Sequence, residues 1–147
     1  MIARRVTMLT ETTCAARAYI DRFGMPASVD ALDGHRMVAF HSSPTGALLP
    51  LEFIRDGVVR HVHLLATVAV NGAESLVAAG RLGLGLIQVP RYHIESDLQR
   101  GTLVPVLPEY PPSPTPVSLL YPRNRQLSPR VRVFIDWLVR VFAGGQG

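Results

Sequence analysis

Residues 67–90 read TVAVNGAESLVAAGRLGLGLIQVP, and the order of their parts decides the fold. A β-branched run is followed by Asn71-Gly72, then by Leu76, Val77 and Ala79 at helical spacing, then by Gly80, Gly83 and Gly85, and finally by a second aliphatic run. In a dinucleotide-binding turn the glycines follow a strand and open a helix, so that backbone amides at the helix N-terminus meet a pyrophosphate. Here the glycines follow a helix and open a strand. The amide-rich helix end lies back at Asn71-Gly72-Ala73, while Gly80 marks the carbonyl-rich end, which repels phosphate. The pattern predicts Asn71 as the helix cap with Glu74 completing a capping box, Gly80 as the C-cap, and close backbone approach at Gly83 and Gly85 beside a buried strand over 84–89. This is a strand–helix–strand unit of an α/β sheet without a phosphate cradle.

Working outward, Tyr92 to Arg100 suits a helix stopped by Gly101, and Leu103 to Leu107 a strand whose Pro105 places it at a sheet edge. Residues 108–116, PEYPPSPTP, predict a stiff extended connector between two structural units, and polyproline recognition is the second use of such a segment. Val117 to Tyr121 reads as a strand. Ser128-Pro129 gives a cap and a first-turn proline to a helix whose Phe134, Trp137, Leu138 and Val141 form a broad apolar face. Upstream, Arg5 to Thr10 reads as a strand and Thr12 to Phe23 as a helix closed by Gly24. Ser28 caps a short turn, and Met37 to Phe40 is a strand leading into the polar loop His41 to Gly46. Leu51 and Phe53 alternate toward an Asp56-Gly57 hairpin turn.

The 147 residues fit one ordinary domain, 48% hydrophobic and 18% charged, with no apolar run of membrane-spanning length. The N-terminus lacks the apolar core of a secretion signal, so the expected location is the cytoplasm and no membrane partner is expected. All fifteen basic residues are arginine, giving a formal charge of +4. Without a lysine there is no Schiff-base nucleophile, Walker lysine or kinase lysine. The arginines are spread along the chain rather than gathered into a nucleic-acid patch, which favours a solvated surface. Cys14 stands alone, excluding an internal disulfide and a cysteine-built zinc site.

Several groups invite chemistry. His61-x-His63 has a spacing two imidazoles use on a metal, but nothing nearby in sequence completes the set. Asp30, Asp33 and His35 cluster in a turn where capping and solvation account for them. Ser42, Ser43 and Thr45 lack the elbow of a serine nucleophile, and Cys14 beside Ala15 and Ala16 reads as a small buried side chain. No catalytic residue, metal or cofactor is assigned. What remains is a place to bind. The loop with His41, Ser42, Ser43 and Thr45 leaves the C-terminal end of one strand, and Asn71-Gly72 leaves another. In open α/β sheets such ends converge on a crevice where hydroxyls and helix amides hold a small anion. Capping and turning of the chain fit the same groups.

The ordered segments ARRVTML (3–9), TCAARAYIDRFGMPASVDALDGHRMVAF (13–40), TVAVNGAESLVAAGRLGLGLIQVPRY (67–92), GTLVPVL, PVSLLYP and SPRVRVFIDWL together resemble the effector-binding domain of LysR-type transcriptional regulators. Tyr19, Gly24, Pro26, Asp30, Leu32 and His35 carry the first of these. The resemblance implies an incomplete type 2 periplasmic-binding-protein fold built on a Rossmann-like subdomain. Residues 11–116 would form the second subdomain, while 1–10 and 117–147 would supply crossing strands and the C-terminal helix of the first. It implies effector-binding positions at Ser42, Ser43 and Thr45 and around Asn71, the same places that the strand-end reading offers, with His41 and Gly72, to a small anion. It implies DNA binding only through a winged helix-turn-helix head that these residues do not include. It also implies that the C-terminal helix lacks its usual sheet, so that the chain self-associates or is marginally stable. A protein interaction module pairing with an intact regulator is the alternative.

Overall fold

The computed structural model describes residues 2–42, 44–121 and 129–144, so Ser43 and the predicted cap Ser128 lie outside the described residues. The chain divides into two units: Glu11–Ser113, and a second formed by residues 1–10 with 114–147.

The larger unit is built on one mixed sheet. Its centre is the segment leading into β3 (Ala39–His41). On one side, Met37 N–H donates to the Leu65 carbonyl at 3.1 Å and Ala39 N–H to Val68 at 3.0 Å, and β3 pairs in parallel with β7 (Ala69–Val70). On the other side, Val38 N–H donates to Leu86 at 3.1 Å and Leu86 N–H to Arg36 at 2.9 Å, just before β8 (Ile87–Pro90). Beyond β8 lies β2 (Glu11–Ala16), antiparallel to it, and beyond β2 lies β9 (Leu103–Pro105), antiparallel to β2. The spatial order of these five strands is therefore β7, β3, β8, β2, β9, the ladders β7–β3 and β8–β2–β9 meeting at the Met37–Leu86 bridge, and among the five β2 runs against the others. Pro105 does sit on the edge strand, where its missing N–H leaves no ladder bond unmade.

β2 corrects the sequence expectation. Residues 12–16 were expected in a helix, but Thr13, Cys14, Ala15 and Ala16 are buried between two strands, and α1 begins only at Arg17 (Arg17–Phe23). Alanine favours helices by propensity; here its small side chain fits a strand crowded on both sides, and tertiary packing overrides propensity.

The central stretch folds as strand, helix, strand, with two changes. α2 (Ala73–Arg81) has Gly72, not Asn71, at its N-cap, and no side-chain cap bond forms, so the capping box is not used. Gly80 lies within the helix rather than closing it. A Cβ there would come within 2.6 Å of Ile87 Cδ1, so Gly80 lets α2 settle onto β8. The left-handed residue after the helix is Gly83, at φ +78°. At Gly85 the close backbone approach is real: a Cβ would lie 2.7–2.9 Å from the Met37 backbone.

The remaining elements of this unit are β4 (Leu48–Leu49), paired with β3, and a hairpin of β5 (Leu51–Arg55) and β6 (Val58–Val62) closed by Asp56-Gly57, both with positive φ. α3 (Glu95–Arg100) ends at left-handed Gly101. The proline-rich segment is a bound strap rather than a free connector over its first part. Ile54 N–H donates to Pro111, and Arg55 reaches both the hydroxyl (2.7 Å) and the ring face of Tyr110. The core is formed by Tyr19, Phe53, Leu86, Ile87, Ile94, Leu103 and Val106, with Leu76, Val77 and Ala79 from α2.

The smaller unit pairs β1 (Ile2–Leu9) antiparallel with β10 (Thr115–Tyr121) and carries α4 (Pro129–Gly144), whose Asp136 faces Arg4 of β1 at 4.0 Å. Ile135 is buried on α4, whereas Phe134 and Trp137 are half exposed.

Candidate functional site

The parallel register Ala39↔Ala69, Phe40↔Val70 fixes where the polar groups fall. His41 and Asn71 each lie one residue beyond the paired Phe40 and Val70, so the loop after β3 and the turn before α2 leave the same end of the sheet. His41, expected on the loop, is the last residue of β3 and pairs with Leu48; Ser42 and Thr45 follow it on the loop, at the same end of the sheet as Asn71 and Gly72, and Ser43 lies outside the described residues.

The loop is closed by its own hydrogen bonds. Ser42 N–H donates to the Ala47 carbonyl at 2.9 Å and Gly46 N–H to Ser42 at 2.7 Å. Thr45 Oγ1 accepts from Ala47 N–H at 3.2 Å, so part of its capacity is spent on the turn. His41 Nδ1 meets the Gly46 carbonyl at 3.2 Å. A carbonyl only accepts, so Nδ1 carries the proton and Nε2 is the nitrogen left for another partner. Across from the loop, α2 presents first-turn amides that no cap side chain occupies. Such donors, at the positive end of a helix, suit a carboxylate or other small anion. Glu74 in that first turn works against the anion and sets a limit on its affinity.

The other sequence candidates turn out to be structural. Tyr19 Oη accepts from Arg36 N–H at 2.9 Å and donates to His35 Nδ1 at 2.7 Å, and Tyr19 stacks on Phe23 with centroids 4.6 Å apart. Burial pushes the His35 pKa down and the tyrosine's up, so this buried pair ties the 34–36 turn to α1 in its neutral form. Asp30 is exposed and pairs with Arg60 at 2.8 Å across to the hairpin. Cys14 is fully buried, and burial, reinforced by the charge of Asp97, pushes its thiol up to about 12, which keeps it from acting as a thiolate. His61 and His63 are both exposed.

Sequence reasoning passed over two polar assemblies. Asp97, 2% exposed, takes a bidentate pair from Arg81 (2.9 and 2.7 Å) and a bond from Thr102 Oγ1 (2.8 Å), binding α2 to α3. Thr13, Glu52, Gln88 and Ser113 form the second. An Arg and an Asp sixteen residues apart on different helices leave no local pattern to read.

Parallel strands flanked by helices, with one antiparallel strand inserted beside β8, define a Rossmann-like unit of the type 2 periplasmic-binding-protein kind. The chain belongs to the LysR substrate-binding-domain family, whose family model matches residues 2–143. It is 39% identical over 143 residues to an uncharacterized HTH-type transcriptional regulator, YhjC, of Escherichia coli K12, covering 96% of this chain and 47% of the relative. It is 27% identical over 143 residues to the HTH-type transcriptional activator AaeR of the same organism, with 97% and 45% covered. The chain therefore spans about half the length of these curated relatives. Among solved structures, the regulatory domain of CrgA from Neisseria meningitidis superposes with a TM-score of 0.79 at 23% identity, covering 95% of this chain and 68% of that one. The full-length AphB virulence activator of Vibrio cholerae gives 0.78 at 20% identity, with 96% and 48% covered. These likenesses show the fold. No helix among the described residues is long and apolar enough to cross a membrane.

Proposed function

We propose that this chain is the sensing part of a cytoplasmic LysR-type regulator, taking a small anionic metabolite at His41, Ser42, Ser43, Thr45, Asn71 and Gly72 and catalysing no reaction. One observation carries the reading: the parallel pairing of β3 and β7 brings the hydroxyl-bearing loop and the uncapped start of α2 to one end of the sheet. The Glu11–Ser113 unit is, on this reading, the second of the two subdomains, and the β1, β10 and α4 elements belong to the first. A ligand held here transmits a signal only if the regulator's alternative arrangements bind it with different affinity.

Gly72→Asp provides the test. Gly72 has extended φ and ψ and open space where a Cβ would stand, so an aspartate is accommodated. It caps α2 and fills the anion position with a carboxylate. The wild-type chain is expected to melt about 5 °C or more higher with the right member of a panel of small carboxylates in hundredfold excess over Kd. Gly72→Asp is expected to melt slightly higher than wild type without ligand and to lose the ligand shift. A panel that leaves the wild type unmoved, or a shift that survives Gly72→Asp, overturns the site.

A second reading is favoured by α4. Val133, Phe134, Trp137 and Val141 are all at least 47% exposed on one short helix, an apolar patch suited to a protein partner. Pairing with an intact regulator of the family is checked by co-elution, and separate elution at micromolar concentration rejects it.

A further inference from the structure

We propose that the proton on the buried carboxyl oxygen of Glu11, partnerless among the described residues, governs how firmly the two ends of the Glu11–Ser113 unit are tied to its sheet. Glu11 is the first residue of that unit and Ser113 the last; Ser113 bonds Glu52 of β5 directly, and the start of β2 is linked to Glu52 through Gln88, which bonds both Thr13 and the Glu52 backbone. Glu52 is fixed by its backbone: its N–H donates to Gln88 Oε1 at 2.9 Å, and Gln88 Nε2 donates back to the Glu52 carbonyl at 2.8 Å and to Thr13 Oγ1 at 2.9 Å. With the backbone held on both sides, the Glu52 carboxylate accepts from the Ser113 hydroxyl. Glu11 Oε2 is buried and has no hydrogen-bond partner among the described residues.

The charged groups on the neighbouring elements do not relieve Glu11. It stands opposite Pro90, and β8 itself carries no charge; Arg91, which follows, pairs with Glu95 at 3.4 Å. On β5, Arg55 is engaged by Tyr110 and Asp56, and β9 is uncharged. A partly buried carboxyl near a second carboxylate, with no cation paired to it among the described residues, keeps its proton unusually long. Burial first, and the Glu52 charge second, push the Glu11 pKa up to about 7. Below that pH the neutral carboxyl tolerates its buried position and the Ser113 bond to Glu52 stands. Above it, two like charges face each other at the points where the chain enters and leaves the unit. The start of β2 and the strap end at Ser113 then loosen together.

Amide hydrogen exchange on the whole chain, corrected for the intrinsic pH dependence, reads both ends. Val106 N–H donates to Thr13 and reports the start of β2, and Ile54 N–H donates to Pro111 and reports the strap. Protection at both amides is expected to fall about tenfold or more between about pH 6 and about pH 8.5, with a midpoint near 7, the size of effect that one unit of pKa shift represents. Glu11→Gln is expected to hold both amides at their low-pH protection throughout. Flat protection in the wild type, or an equal fall in Glu11→Gln, overturns the proposal. Should Glu11→Gln fail to fold, Glu52→Gln carries the test: the midpoint moves toward the ordinary glutamate range, and an unmoved midpoint overturns the proposal equally. None of these residues belongs to the anion site, so failure here leaves the sensor reading standing.

Discussion

At Gly85 the backbone of Met37 passes so close that even a methyl group has no room. The obstacle is main chain in the middle of a sheet, which cannot rotate aside as a side-chain end can. Gly85→Ala is therefore expected to cost about 3 kcal/mol or to prevent folding, read as a drop in the urea midpoint. At Gly80 the obstacle is the Ile87 side chain, whose end can swing, and Gly80→Ala should cost less, about 1 kcal/mol. His35 acts through protonation. Its folded pKa lies below the ordinary value, because burial disfavours the imidazolium. The unfolded chain therefore binds the proton more readily, and stability is lost as pH falls from about 6.5 toward the lowered folded value. Glu11 has the opposite sign: its folded pKa is raised, so its stabilising proton is lost as pH rises through about 7. Urea midpoints of the Glu11→Gln chain separate the two, since only the acid-side loss of His35 should remain. A Glu11→Gln chain as stable at pH 5 as at pH 7 would contradict this assignment.

At the scale of elements, the Arg81–Asp97 pair shows how α2 and α3 are held together. Asp97 is buried and Arg81 is half exposed, so the two deletions are unequal. Arg81→Ala strands a buried carboxylate and is expected to cost about 2 kcal/mol, less than the roughly 3–5 kcal/mol of a fully buried pair because solvent screens the guanidinium. Asp97→Asn keeps a partner for Thr102 and lets Arg81 turn to water, and should cost less. The Arg81 bond, aided by Thr102 and opposed by burial, holds the Asp97 pKa below its usual range, so this contribution is lost only as pH drops beneath about 3.8. Periodicity and glycine order in 67–90 made strand, helix and strand legible, and Asp56-Gly57 made the hairpin legible, since turn chemistry and side-chain spacing act locally. β2 was illegible for the reason that Arg81–Asp97 was: Thr13 to Ala16 become a strand because β8 and β9 close on them from distant parts of the chain. The polar loop and Asn71-Gly72 were legible as strand ends. That they leave one end of the sheet follows from the parallel Phe40–Val70 register, a pairing between distant parts of the chain.

For the molecule as a whole, the unequal treatment of apolar surface in the two units has a consequence in solution. The Glu11–Ser113 unit encloses Tyr19, Phe53, Leu86, Ile87 and Ile94 almost completely. On α4, Ile135 is buried, while Phe134 and Trp137, with ring centroids 6.1 Å apart, face water alongside Val133 and Val141. Burying an aromatic side chain is worth about 2 kcal/mol at roughly 25 cal/mol per Å² of apolar area, so two such rings meeting a second surface supply enough to drive weak association. The chain is therefore expected to sediment with a concentration-dependent mass, and Trp137→Glu to shift it toward the monomer by placing a charge in the contact. Trp137 is half exposed, so the substitution should leave the melt of the chain nearly unchanged, which separates lost association from lost folding. A wild-type chain monomeric at all concentrations would show that α4 tolerates its exposed face. Partner pairing would then lack the observation that favours it, whereas the β3–β7 site, built wholly within the other unit, would be unaffected.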